Sequence, residues 1–137
     1  MKRYVVAAVP EIPPGTHKII EVSGREVGVF NVNGAFYALL NRCPHGGAAL
    51  CKGTVVGLVR PGGVGEYELI RKGEFLRCPW HGWEFEISSG QSYCDPTKVK
   101  ARKFDVAVER GDDLVKGPYV AETYNVAIEN DYVVLTL

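Results

Sequence analysis

Histidine and methionine are scarce in this chain of 137 residues, which has three His and one Met, and charge of either sign is not in excess. Sixteen Lys plus Arg balance sixteen Asp plus Glu, and no run of like charges occurs. The balance excludes the basic footprint of a nucleic-acid binder. Long apolar runs are also missing: Tyr4 to Val9 is too short to span a bilayer and is followed by Pro10, Pro13 and Pro14. No export signal or membrane span is expected, which points to a cytoplasmic protein. Internal repeats, low-complexity segments and a helical apolar stripe of useful length are absent as well.

What is present is the composition of one globular domain, 46% apolar and 23% charged. A chain of this length buries roughly two thirds of the surface its unfolded form would expose, so its core does not depend on disulfides. Short β-type runs separated by Gly, Asn and Pro predict an all-β fold. The runs are Tyr4 to Val9, Lys18 to Val22, Glu26 to Val32, Ala35 to Leu40, Thr54 to Arg60, Glu66 to Arg71, Glu74 to Arg77, Glu84 to Ile87, Phe104 to Val108, Tyr119 to Ile128 and Tyr132 to Leu137. Ser23-Gly24 and Asn33-Gly34 read as two-residue hairpin turns, Arg71-Lys72-Gly73 and Ser88-Ser89-Gly90 as further turns. Pro61-Gly62-Gly63-Val64-Gly65 reads as an exposed loop tip.

Four cysteines without an export signal are expected in a reducing compartment, where paired thiols serve more often as metal ligands than as disulfides. Two short motifs pair a cysteine with a histidine: Cys43-Pro44-His45-Gly46 and Cys78-Pro79-Trp80-His81-Gly82. Each supplies one thiolate and one imidazole from a loop between strands. Thiolates suit an iron that stays ferric, and neutral imidazoles on a second iron make the pair accept an electron more readily than an all-cysteine site does. The prolines stiffen the loops, and the glycines let backbone N–H groups approach inorganic sulfur. A structural zinc on the same four ligands is the competing possibility, although the usual zinc spacings differ.

These motifs resemble the Rieske [2Fe–2S] family, with its Cys-x-His and Cys-x-x-His signature. The resemblance runs through residues 41–50 and 78–85 and on to Gly90 and Asp95-Pro96. It implies one [2Fe–2S] cluster with Cys43 and Cys78 on the inner iron and His45 and His81 on the outer, more exposed one. The implied fold is one domain of antiparallel sheets over residues 1–137, with a cluster-binding subdomain at 41–96 inserted into the base and residues 110–137 as a C-terminal β extension. The respiratory branch of the family carries a loop disulfide where this chain has Ala48 and Trp80, and hydroxyl donors where it has Trp83 and Phe85. The resemblance is therefore to the soluble ferredoxin and oxygenase type, with a potential toward the lower end of roughly −150 to +300 mV.

The implied function is that of a soluble one-electron carrier, not an enzyme, taking electrons from a reductase and passing them to a terminal enzyme such as an aromatic-ring oxygenase. Electron uptake is expected to raise the proton affinity of His45 and His81, coupling it to a proton at sufficiently high pH. The chain does not itself have the two further histidines that a mononuclear iron site needs, since His17 alone remains. The alternatives are a Rieske-type small subunit of a larger, nitrite-reductase-like enzyme and a zinc-stabilised interaction module. Cys51 and Cys94 read as small buried hydrophobes, and His17 as a strand or surface residue. Pro44, Leu50, Pro79, Trp80 and Trp83 are expected around the cluster, where they keep water off it and form an apolar rim for docking. Val55 to Glu74 is expected to form an added hairpin that, with the C-terminal extension, selects the partner.

Overall fold

The computed structural model describes residues 3–44, 47–80, 82–92, 100–115, 127 and 129–137. Nine strands are found among them: β1 (Arg3–Ala8), β2 (His17–Val22), β3 (Arg25–Val32), β4 (Ala35–Leu40), β5 (Thr54–Pro61), β6 (Tyr67–Arg77), β7 (Glu84–Glu86), β8 (Lys103–Arg110) and β9 (Asp131–Thr136). One short helix, α1 (Gly111–Val115), precedes β9. The strands form a six-stranded sheet, β1-β9-β8-β4-β3-β2, and a three-stranded sheet, β5-β6-β7, supplied by the chain between β4 and β8. Every named strand pair is antiparallel, so the all-β expectation holds. The Tyr119 to Ile128 run lies almost wholly outside the described residues.

Local chemistry accounts for the hairpins. Ser23 and Gly24 have φ of 51° and 74°, and Asn33 and Gly34 have 53° and 93°. Both central residues of each turn are left-handed, which matches the twist of the flanking strands. The buried Asn31 reinforces the second hairpin: its Nδ2 donates to the Ile12 carbonyl at 2.8 Å and its Oδ1 accepts from Gly34 N at 2.8 Å.

β3 and β4 are buried on both faces, which is why they read as nearly continuous apolar runs. Val27, Val29 and Ala38 enter one core with Tyr4, Phe104 and Leu135. Phe30 and Leu39 enter a second core with Leu76 and Phe85 of the small sheet and with Cys43 and Cys78. A third, smaller cluster joins Leu114 of α1 to Val5, Tyr132 and Val134. His17 is a strand residue stacked on Phe30, its partner on β3, with ring centroids 4.8 Å apart. The outer edges of β1 and β2 face each other across a seam that side chains stitch. Tyr4 Oη and Ser23 Oγ are 2.8 Å apart, and Lys18 Nζ donates to the Val6 carbonyl at 3.2 Å.

One expectation is corrected. The runs expected at Glu66 to Arg71 and Glu74 to Arg77 are not two strands turned by Arg71-Lys72-Gly73; residues 67–77 form the single strand β6. The turn chemistry is real, since Arg71 and Gly73 have φ of 51° and 80°. It is absorbed as a bulge, because the β5 pairing resumes on both sides: Leu58 opposes Ile70, and Val56 opposes Phe75. Gly57 makes this possible, as a Cβ there would lie 2.7 Å from the Ile70 carbonyl oxygen and 3.1 Å from Lys72 Cα. Arg71 then braces the bulge, with Nε on Glu74 at 3.1 Å, a second ion pair to Glu86, and its guanidinium 4.7 Å from the centre of the buried Phe75 ring. Of the expected loop tip, Pro61 to Gly65, Pro61 ends β5 and Gly62 to Gly65 are exposed.

Candidate metal centre

Cys43 follows β4 of the large sheet and Cys78 follows β6 of the small one, so each sheet delivers one thiol to the core between them. The side chains are 1% and 2% exposed. The two loops have the same backbone design. Cys43 N donates to the Ala48 carbonyl at 2.7 Å, and Gly47 N donates back to the Cys43 carbonyl at 2.7 Å. Cys78 N donates to the Trp83 carbonyl at 2.8 Å, and Gly82 N to the Cys78 carbonyl at 3.2 Å. In each case the returning donor is a glycine with left-handed φ, 82° at Gly47 and 70° at Gly82. A β-carbon would make that conformation costly.

The His45-Gly46 pair, His81, and the segment holding Cys94 and Asp95-Pro96 lie outside the described residues. Around the thiols, Leu50 is fully buried and Trp83 packs partly buried against the same core, which shields them from water. Pro44 and Pro79 are exposed, and Trp80 is 61% exposed. The expected apolar set is thus split: Leu50 and Trp83 line the interior, while Pro44, Pro79 and Trp80 form an outer rim.

Sequence reasoning assigned no role to three residues that hold the loops in place. Asn41 Oδ1 accepts from Cys51 N at 2.7 Å, while Asn41 Nδ2 donates to Glu26 at 2.9 Å; this straps the 3-10 turn Leu50–Lys52 to β3. Gly53 ends that turn so close to β6 that a Cβ would overlap the Arg77 carbonyl oxygen, one residue before Cys78. Gly28 lies under Cys51, where a Cβ would overlap Sγ and stand 2.8 Å from the cysteine Cβ. Asn41 beside the first motif was a usable signal. The glycines were not, because their partners are distant in sequence.

Cys51 is the buried hydrophobe expected. Its Sγ lies 3.7 Å from the Leu39 carbonyl oxygen, and burial pushes the thiol up to about 12, only partly offset by a hydrogen bond with the Gly28 backbone. A thiol held in its protonated form is a poor metal ligand. Two cysteines in matched loops, with imidazoles two and three residues on, make a mixed sulfur and nitrogen donor set.

Comparison with known proteins gives the family. The family model described as the Rieske [2Fe–2S] domain matches residues 2–105. A curated relative, Ferredoxin CarAc of Metapseudomonas resinovorans, is 29% identical over 113 residues, covering 82% of this chain and 91% of its own. Among solved structures, one chain of the complex of reduced oxygenase and oxidised ferredoxin in carbazole 1,9a-dioxygenase superposes with a TM-score of 0.60 at 25% identity, covering 96% of this chain and 91% of that one. The ferredoxin of carbazole 1,9a-dioxygenase from Nocardioides aromaticivorans IC177 shares the fold, with a TM-score of 0.63 at 21% identity and 97% coverage of both chains. Its pattern of ligand-type residues, its two matched loops and the family model together establish that this chain belongs to the Rieske [2Fe–2S] domain family.

Proposed function

We propose that Cys43, His45, Cys78 and His81 hold one Rieske-type [2Fe–2S] cluster, and that the protein is a one-electron carrier between a reductase and the terminal oxygenase of an aromatic-ring dioxygenase system. The observation that carries this reading is the matched pair of glycine-closed loops, each presenting a buried thiol to the core shared by the two sheets. The donor set fits the group: two sulfur ligands inside, and two imidazoles in loops whose tips are exposed at Pro44, Pro79 and Trp80. Support for the partners comes from relatives named as the ferredoxin component or subunit of dioxygenase systems and from a structural match within an oxygenase and ferredoxin complex.

When bound, such a cluster takes up and releases one electron without making or breaking a substrate bond. The protein's residues position and insulate. Leu50, Trp83 and Phe85 exclude water from the thiol side, and the rim of Pro44, Pro79 and Trp80 offers an apolar surface for brief contact. Trp83 and Phe85 stand where the respiratory branch has hydroxyl donors, so less hydrogen bonding stabilises added negative charge and the potential lies low for the family. We assign the cluster-binding subdomain to 41–96, the C-terminal β extension to 110–137 and the location to the cytoplasm. Among the described residues no helix is long and apolar enough to cross a membrane.

The test is an EPR spectrum of anaerobically purified, dithionite-reduced protein, with iron and sulfide quantified on the same sample. A rhombic signal of low average g, with two irons and two sulfides per chain, is expected; zinc without a signal overturns the reading. His81→Cys should lower the potential, and an unchanged potential removes His81 from the ligand set. Stable co-elution with a large reductase subunit would favour the subunit alternative over a free carrier.

A further inference from the structure

Among the described residues β5 pairs only with β6 and forms the outer edge of the small sheet. Its first six residues, Thr54-Val55-Val56-Gly57-Leu58-Val59, carry no charge. Natural edge strands are ordinarily blunted by charge, proline or a bulge that turns the edge away. Here proline comes only at the last residue, Pro61, and the bulge lies on the paired strand. Beside this edge the bulge leaves an open groove of about 430 Å³, lined by Val55, Val56, Leu69, Lys72 and Arg77 over Gly57 and Gly73. Leu69 is 49% exposed.

The charge along the groove is of one sign. Lys72 is exposed, and so is Lys52, two residues before Thr54, whose partner across the ladder is Arg77. Neither lysine has an ion-pair partner among the described residues. Arg77 is half exposed and shared with Glu84 at 3.2 Å. Other nearby acids are engaged or displaced: Glu74 and Glu86 pair with Arg71, and Glu66 and Glu68 lie beyond Leu69 toward the hairpin tip.

We propose that the β5 edge and its groove receive an extended, acidic segment of the redox partner, added as a strand with its carboxylates directed to Lys52, Lys72 and Arg77. This rests on the carrier reading, since the partner is the protein that exchanges the electron. Strand addition supplies affinity through main-chain hydrogen bonds and specificity through alternate side chains. A second copy of this chain fits poorly, because antiparallel pairing of β5 with itself sets one basic groove against another. Arg77 directly precedes Cys78, so the segment would be anchored at the base of the metal loop, leaving the Pro44, Pro79 and Trp80 rim to a second contact with the same partner.

The test uses cluster-loaded protein and two labelled ten-residue peptides, one alternating Glu with Val and one alternating Lys with Val. Fluorescence anisotropy should show saturable, salt-sensitive binding of the Glu peptide alone, weakened at least tenfold by Lys52→Glu with Lys72→Glu. Amide exchange read by mass spectrometry should slow over 54–61 when the Glu peptide is bound. Binding of neither peptide, equal binding of both, insensitivity to charge reversal, or no protection of 54–61 overturns the proposal. So does a concentration-dependent dimer that protects 54–61 without peptide. The EPR signal and dithionite reduction of the charge-reversed protein should match wild type; their loss from the wild-type protein would instead defeat the carrier reading.

Discussion

In the six-stranded sheet, β2, β3 and β4 turn on two residues each and stay in register from His17 to Leu40, whereas β5 and β6 keep register only by absorbing Arg71 to Glu74 as a bulge. The large sheet curls until its outer edges face each other; the small sheet, among the described residues, has β5 as an edge with no further strand beside it. Each sheet nevertheless delivers a cysteine through the same glycine-closed loop. The difference teaches that the loops set the geometry at each thiol locally, while the sheets differ in what they offer to other molecules.

The contrast can be broken most severely through the shared core. Phe85 of β7 is fully buried between the sheets, and Phe85→Ala should cost about 3–5 kcal/mol in urea unfolding. Amide protection should fall further in β5, β6 and β7 than in β3 and β4; an equal fall would show that the sheets open as one unit. Next in size, Gly53→Ala forces a Cβ into the Arg77 carbonyl, backbone against backbone. A loss at the upper end of about 1–3 kcal/mol is expected, with slower recovery of cluster absorbance after reconstitution.

Gly28→Ala presses instead on the Cys51 side chain, and a loss nearer the lower end of that ~1–3 kcal/mol range is expected. Adding Cys51→Ala should relieve part of it, which a double-mutant cycle reads directly. Because burial pushes the Cys51 thiol up to about 12, iodoacetamide at pH 8 should modify it only on unfolding. Its contribution to stability is complete below the ordinary thiol value of 9.0 and is lost as pH rises toward about 12.

The smallest effect belongs to the bulge brace. The Ser89 hydroxyl, and then Arg71, hold the Glu86 carboxyl below the usual carboxylate range. The folded state thus binds this proton less readily than the unfolded chain, so the contribution is present at neutral pH and is lost as pH falls through the depressed value. Glu86→Gln should lower stability by less than about 1 kcal/mol at pH 7. Denaturation midpoints of the two proteins should converge in acid, and a gap independent of pH would assign the effect to packing instead.

Much of the large sheet was legible in the sequence because alternation and turn chemistry agree there. Asn33-Gly34 between two apolar runs admits few structures, and Ala35 to Leu40 was read with its observed bounds. The small sheet was less legible. Arg71-Lys72-Gly73 has the composition of a turn and adopts left-handed backbone, yet the strand continues because Gly57, distant in sequence, accepts the close approach. α1 escaped because five residues are too few to show a helical period. In the candidate metal centre the two paired Cys-His motifs were legible in the sequence. Gly28 and Gly53 were not, since what they do depends on segments that only the folded chain brings near; Asn41, next to the first motif, was the one signal within reach.

The pairing of β1 with β9 sets a schedule as well as a shape. Arg3 opposes Thr136 and Ala8 opposes Tyr132, so the first described strand takes its place only when the last has been made. At ~5–20 residues per second, that leaves β1 waiting on the order of 5 to 25 s during synthesis. Contacts this far apart also place the sheet among slowly folding topologies. The metal loops belong to segments made well before that closure, so the order of translation lets both cysteines reach solution before the sheet that carries the first of them is complete.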